Sequence, residues 1–550
     1  ARVFPQWLRC SGCDLLGKIT QFEYTNTSMY RPDQAKFEHS RCQGKKGESK
    51  PSSRLAVPAR YLLTCQSGHL DEFPYEAWVH GGNECPAAEL PALKMDDKTA
   101  GKGASAIIKC ESCQAKRPMN EAQGESGAAK LPGCRGRHPH LSTFDSGKCR
   151  NSTRLMLVGA SNLWFPVTQS IIVMPTTSAE KKTELADKIR TAADIEKLNT
   201  YRDNLEIVRM ALDGKVDVKE VPDEALREAV DAACAYEVSV EEQEERVRNW
   251  DPIDLLVPEW RYLQDDPPGP FHEDKHSGLT LSRRARSPKL PAKISRVLAV
   301  ERLRKVNALV GFTRVDSLDR VNDQTDRLVP LTRERKPKWT VATEDRGEGV
   351  FIQLDEEQVV QWEDRVLASP RWAEHREAHR RNFGNRLSDT ASMTDPDNRF
   401  SPPRYWLVHT FAHVLMREMA QMCGYSAASL SERLYAWPKT EEREAAAGFL
   451  ICTTASDSDG TLGGLVQLSE PHRLAKVVDA ALLRATRCSS DPICAMRIPK
   501  DPEDFLHGAA CHCCAMASET SCEKANRFLD RRFLVNLPGC NLGFFGYVEL

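Results

Sequence analysis

The sequence has no run of roughly 20 uncharged apolar residues, which excludes a membrane-spanning helix and membrane partners of that kind. It has no Gly-x4-Gly-Lys-Ser/Thr phosphate loop. The residues that hold nucleotide phosphates and Mg²⁺ in a helicase motor are therefore missing, and ATP hydrolysis by the chain alone is not expected. There is no Gly-x-Ser-x-Gly elbow, and no cysteine sits in an evident nucleophile setting. A charge excess is lacking too: 76 Lys and Arg against 78 Asp and Glu leave a formal net charge of -2. Any polyanion contact must then come from local patches. The amino end, Ala1-Arg-Val-Phe-Pro, shows no basic stretch followed by an apolar run. Export is not expected, and the expectation is a cytoplasmic protein whose cysteines stay reduced.

What the chain does have is cysteine in two dense blocks. Of 19 cysteines, nine lie before residue 150 and seven after residue 487, leaving only Cys234, Cys423 and Cys452 between. Both blocks contain pairs at ligand spacing. The first holds Cys10-x2-Cys13 with His39-x2-Cys42, Cys65-x3-His69 with His80-x4-Cys85, and Cys110-x2-Cys113 followed by Cys134 and Cys149; the second holds Cys494, Cys511-x2-Cys514 and Cys522. Two ligands separated by two residues form a knuckle that supplies half a tetrahedron, and a second pair closes it. In a reduced compartment this implies about four Zn²⁺ per chain, three in the first 150 residues and one near the end. Cys488 and Cys513 are spare in the last cluster, so Cys488 could replace Cys522 as its fourth ligand.

The 550 residues suffice for roughly three or four domains. Residues 1–150, rich in Gly, Pro and short strands, read as zinc-ribbon-like modules whose small cores need metal. Residues 151–177 begin the globular core. Residues 178–251 read as a helical insert of two helices broken at Val221-Pro-Asp, with Asp223 capping the second. Residues 252–400 combine an irregular, Pro-rich basic segment with α/β core. Arg283, Arg284, Arg286, Lys289, Lys293 and Arg296 follow one another there without an acidic residue, as a solvated loop or a strip for nucleic-acid phosphates. The segment 401–540 has the most regular pattern: a helix from about Pro403 to Cys423, a second from Ser426 to about Tyr435, a strand at Gly448-Phe-Leu-Ile-Cys, a Gly-rich turn, and a helix from His472 to about Thr486. Residues 541–550 form a tail. The overall class is α/β multidomain, with a mainly parallel sheet in the core and a C-terminal four-cysteine zinc domain.

Several of these stretches carry a family resemblance. Arg404-Tyr-Trp-Leu-Val-His409-Thr-Phe-Ala-His413, Asp459-Gly-Thr-Leu-Gly463-Gly464, Cys488 through Cys494, His507 through Cys514, Cys522 and Asn526 through Arg531 resemble the MZB domain, here read as MrfB-like, attached to or partnered with bacterial superfamily 2 helicases. Cys65-Gln-Ser-Gly-His69, Val79-His80, Ser161-Asn162-Leu-Trp-Phe-Pro and Gly311-Phe-Thr-Arg resemble the DrmB branch in particular. The resemblance implies a non-catalytic subunit of the DISARM phage-defence system that partners a DrmA-like superfamily 2 helicase and contacts DNA through that complex. Phosphate contacts are expected from Arg283, Arg284 and Arg286, or from Arg527, Arg531 and Arg532.

Two alternatives stand beside this reading. One is an MrfB-like accessory of a DNA-repair helicase. The other is a metal-dependent nuclease or phosphodiesterase built on His409, His413, Asp457 and Asp459. His409 and His413 are one helical turn apart and could face a metal, but Thr410 stands where a zinc protease has its Glu. Hydrogen-bonded core histidines are the simpler expectation for the pair, and Trp406 and Trp437 read as core aromatics.

Overall fold

The computed structural model describes residues 3–44, 51–97, 106–145, 147, 149–175, 178–219, 221–235, 251–265, 267, 269–315, 327–333, 339–384, 395–453, 464–499 and 506–548. The chain divides into two units. One is built mainly from Ala1–Gln169 and Ala308–Val341, the other mainly from Ser170–Asn307, Ala342–Arg386 and Thr394–Leu550.

The first unit is a set of short antiparallel strands. Its largest sheet runs in the order Lys116–Pro118, Ile107–Cys110, Leu93–Asp96, Leu15–Lys18, Trp7–Cys10, Ser52–Pro58, Lys36–Cys42, Glu23–Thr25; a second joins Arg154–Leu157, Tyr61–Thr64 and Leu70–Glu72. Alternation fixes what is buried: in Ile107–Cys110 the side chains of Ile108 and Cys110 turn inward and Ile107 outward. The resulting core is small and aromatic, centred on Trp7, Tyr61, Phe73, Tyr75 and Trp78.

In the second unit the helical insert, among its described residues, comprises four helices where two were expected: Ser178–Ala192, Ile195–Thr200, Leu205–Leu212 and Asp223–Ala235. The extra breaks fall where Asp194 and Asn204 accept backbone N–H groups of the following turns. The break at Val221-Pro-Asp is present, but Asp223 stands inside the first turn and accepts a hydrogen bond from Arg209. Ile189, Val208, Leu212, Leu226 and Val230 give the insert a core of its own.

The main sheet of this unit runs Phe271–Glu273, Thr280–Arg283, Ile294–Thr313, Ala342–Leu354, Ala446–Thr453, Leu430–Trp437, with Phe165–Ile172 also paired to Ile294–Thr313. Two expectations are corrected here. Leu430–Trp437 is a strand where the second helix was expected, and it pairs antiparallel with Ala446–Thr453, which pairs antiparallel with Ala342–Leu354. Successive strands joined by the short connection 438–445 can only pair antiparallel, so the core is not a mainly parallel sheet. The basic segment is likewise more regular than read, with a helix Val257–Gln264 and two strands. Against this sheet packs the helix Pro403–Cys423, closed by Gly424 in the left-handed conformation at φ 70°. It is buried almost all round, with Trp406, Leu407, Phe411, Leu415 and Met419 in the large core; Trp437 lies in a neighbouring one.

Candidate metal centres

Each of the 19 cysteines is free of a disulfide, and 13 of them stand in four quartets. Within each quartet the ligand atoms lie within 4.8 Å of one another. The quartets are Cys10, Cys13, His39 and Cys42; Cys65, His69, Cys134 and Cys149; His80, Cys85, Cys110 and Cys113; and Cys488, Cys494, Cys511 and Cys514.

Local backbone geometry makes the knuckles. Cys10 ends one strand of a hairpin and Cys13 lies in its turn; Cys110 and Cys113 repeat the arrangement. In each, the residue after the second cysteine turns left-handed, Asp14 at φ 60° and Gln114 at φ 65°, and its N–H returns to the carbonyl of the first cysteine. Opposite the first knuckle, a register shift between His39 and Cys42 interrupts the pairing of Lys36–Cys42 with Ser52–Pro58, and both side chains reach one site.

Four sulfurs about 2.3 Å from a central zinc stand about 3.8 Å apart, whereas a disulfide closes to about 2.05 Å. The observed separations are 3.7 Å for Cys10 and Cys42, 3.9 Å for Cys65 and Cys149, 3.9 Å for Cys85 and Cys110, and 3.5 Å for Cys488 and Cys511. Cys494 and Cys511 stand 3.7 Å and 3.6 Å from Cys514. Backbone N–H groups of Gly12, Gly44 and Gly136 point at Cys10, Cys42 and Cys134, and the Arg531 guanidinium points at Cys494, as anionic thiolates require.

The histidines are oriented from behind. His69 turns Nδ1 to Cys65 at 3.2 Å while Nε2 meets Asp145 at 2.6 Å, and His80 donates Nδ1–H to the Glu76 carbonyl, leaving a buried Nε2 with no hydrogen-bond partner. Crowded thiols oppose one another's ionisation: Cys65, then burial, push Cys134 up to about 12. A dication removes that conflict, so the donors fit zinc.

The ligand pairs combine differently from their order along the chain. Cys65 and His69, at the turn between Tyr61–Thr64 and Leu70–Glu72, meet Cys134 and Cys149 on either side of a small hairpin. His80 and Cys85 meet Cys110 and Cys113, because Leu93–Asp96 pairs with Ile107–Cys110 and brings Leu93 opposite Cys110. The pairs are nested, where consecutive pairing was expected. Spacing within a pair says nothing of which other pair it meets.

Near the C-terminus the structure takes the other alternative: Cys488, just beyond the helix Pro471–Ala485, completes the cluster with Cys494, Cys511 and Cys514. Cys522 joins a different group. It lies with His409 and His413 of the helix Pro403–Cys423 and with Glu432 of the strand Leu430–Trp437, all four buried. Glu432 was missed in the sequence, because its segment read as helix. Burial alone would push its carboxyl up, but His409 and His413 outweigh that and hold it well below the ordinary range. Asp457 and Asp459, the remaining members of the nuclease alternative, lie outside the described residues.

The expected phosphate contacts are redistributed. Arg531 and Arg532 are completely buried. Arg531 donates to the carbonyls of Ala509 and Ala485, and Arg532 chelates Asp530, so neither can meet a DNA backbone. Arg284 pairs with Glu301, and Arg286 donates to the carbonyls of Ile294, Leu290 and Pro291. Lys293 reaches the Phe544 carbonyl. Arg527 donates Nε–H to Lys524. Arg283 and Lys289 are exposed. Among the described residues no helix is long and apolar enough to cross a membrane.

Comparison with known families bears out the resemblance. Residues 411–515 match the MZB family, described as the MrfA Zn-binding domain, so the domain takes its name from MrfA and not from MrfB. Residues 1–165 match DUF8724, a domain of unknown function. The C-terminal region is thus that of an MZB-domain protein, and zinc, at more than one site, is the cofactor that this domain and the quartets identify. Over nearly its whole length the chain is similar to the DISARM protein DrmB of Bacillus paralicheniformis, with 27% identity over 501 residues, covering 88% of this chain and 81% of the relative.

Proposed function

We propose that the chain is a non-catalytic zinc scaffold subunit of a DISARM-like anti-phage system, which partners a superfamily 2 helicase of DrmA type and helps it hold DNA. The observation that carries this reading is the closure of the quartets. Cys10, Cys13, His39 and Cys42; Cys65, His69, Cys134 and Cys149; His80, Cys85, Cys110 and Cys113; and Cys488, Cys494, Cys511 and Cys514 each bring together four donor atoms, a complete ligand set for one Zn²⁺. A filled tetrahedron has no position for water or substrate, which is the mark of structural zinc. The similarity to DrmB supplies the defence setting.

With a formal net charge of -2 the chain holds DNA weakly alone, and its exposed Arg283 and Lys289 extend a groove that the helicase begins. Co-purification with a DrmA-type superfamily 2 helicase, followed by DNA-binding and ATPase assays of each component and of the complex, tests the proposal. Tight DNA binding and DNA-dependent ATP hydrolysis should require both partners. ATP hydrolysis, or nicking of DNA with Mg²⁺ or Mn²⁺, by the isolated chain would replace the scaffold with an enzyme.

A further inference from the structure

The group of His409, His413, Glu432 and Cys522 is used by none of the above. The helix Pro403–Cys423 carries the two histidines one turn apart on the face turned to the strand Leu430–Trp437, where Glu432 waits, and the loop after Cys514 brings Cys522 to the open side. His409 and His413 are 0% exposed, Glu432 1% and Cys522 5%.

Protons alone leave this group in conflict. His413 Nδ1 lies 2.9 Å from the Ala515 carbonyl oxygen. A carbonyl only accepts, so Nδ1 carries a hydrogen, and in the neutral ring, the form that a metal binds, the lone pair of Nε2 is turned inward. That lone pair faces Glu432 Oε2 at 3.4 Å, and both atoms are buried without a hydrogen-bond partner. His409 Nε2 is 3.2 Å from Glu432 Oε1 and 3.2 Å from Cys522 Sγ, and has at most one hydrogen to offer the two. Buried polar atoms are rarely left unmatched, and here several electron-pair donors converge on one point.

We propose that His409, His413, Glu432 and Cys522 form an enclosed metal site, additional to the four quartets, that takes a borderline divalent cation, Zn²⁺ above all. Two imidazoles, a thiolate and a carboxylate form a mixed donor set for zinc and its first-row neighbours, whereas Ca²⁺ and Mg²⁺ call for oxygen alone. The separations of 3.2–3.4 Å match the edge of about 3.3 Å expected between nitrogen and oxygen ligands each about 2.0–2.1 Å from zinc. Cys522 binds as the thiolate, its proton released to solvent. The sulfur is already cradled, by the N–H groups of Lys524 at 3.3 Å and Asn526 at 3.2 Å. Ala525 and Asn526 are left-handed, at φ 51° and 60°, conformations that persist only where the surroundings hold them. With all four positions taken by protein, the ion is a fastener between helix, strand and loop.

The test is a metal count on the full-length chain, purified from zinc-supplemented cells and freed of loosely held metal. About five Zn²⁺ per chain are expected, against about four if the quartets alone bind. Cys522→Ser and His413→Gln should each lose one equivalent and keep the rest. Where either variant does not fold, the wild-type chain loaded with an NMR-active cadmium isotope decides: one resonance must carry the shift of a single-sulfur site, set apart from the three- and four-sulfur sites. A count of four, a variant that retains every equivalent, or a cadmium spectrum of sulfur-rich sites only would overturn the proposal and leave the scaffold reading standing.

Discussion

Asp530 is a carboxylate with no exposure to water, and its surroundings show why it stays charged. Arg532 chelates it at 2.9 Å and 2.6 Å, His375 Nε2 lies 2.8 Å away, and the Ala509 N–H points at it. Burial would raise its pKa, but Arg532 and then His375 outweigh burial and hold the group far below the ordinary carboxylate range. A depressed folded-state pKa contributes stability that is fully present above the unfolded value of about 3.9 and is lost as pH falls below it. Asp530→Asn should therefore cost about 3–5 kcal/mol at pH 7, the cost of leaving Arg532 buried and unpaired. The gap between the urea midpoints of the two forms should hold from pH 7 down to about 4 and narrow only below that, as pH falls towards about 2; a gap unchanged there would show that the carboxylate charge is not the source. Gly508 belongs to the same cluster. A Cβ there would stand 2.0 Å from Asp530 Oδ2, so Gly508→Ala should also destabilise, because the obstacle is a fixed, buried ion pair and not a flexible chain end.

At the scale of elements, the strand Leu430–Trp437 is informative because all eight of its residues are buried. Glu432 lies in the histidine–cysteine group, and Arg433 meets Glu259 through bonds of 2.9 Å and 2.6 Å, with Tyr435 donating to the same carboxylate. Glu259→Gln should cost about 3–5 kcal/mol, since it strips one partner from a buried charge pair, whereas Glu259→Gln combined with Arg433→Met should recover part of that loss. Thermal unfolding of the single and double variants measures the coupling. A single variant as stable as wild type would mean the pair contributes nothing. The strand also explains what could be read in advance. The helix Pro403–Cys423 was legible to the residue, since Pro-Pro opens it, Gly424 closes it and the apolar positions between have helical spacing. Leu-Ser-Glu-Arg-Leu-Tyr-Ala-Trp shows no apolar–polar alternation, because its polar side chains are satisfied by partners as distant as Glu259; period and polarity carried no signal of a strand. The cysteine knuckles were legible as pairs, because the turn that makes each is local. Their nesting was not, because strand pairing decides which knuckles meet.

For the molecule as a whole, the distribution of metal against apolar core sets an order of failure. The unit containing Ala1–Gln169 carries three of the four quartets around small cores, whereas the unit containing Pro403–Cys423 surrounds one quartet with the largest hydrophobic cluster. A small domain that cannot bury enough apolar surface depends on its metal for folding, since binding free energy there is folding free energy. Cys511→Ser or Cys514→Ser should accordingly lose the local fold around residues 506–530 while the helix Pro403–Cys423 persists. Stripping zinc with a strong chelator at neutral pH should unfold the amino-terminal unit before the other. Limited proteolysis followed by mass mapping checks this: early cuts should fall between residues 3 and 165, with 403–453 protected long after them. Protection restored by Zn²⁺ and not by Mg²⁺ would follow from sulfur-rich sites, because Mg²⁺ demands octahedral oxygen ligands. If the two units were cut at the same rate, or if the chelated chain kept its protection throughout, the quartets would not be what holds the amino-terminal strands together, and its aromatic core around Trp7, Phe73 and Trp78 would have to suffice alone.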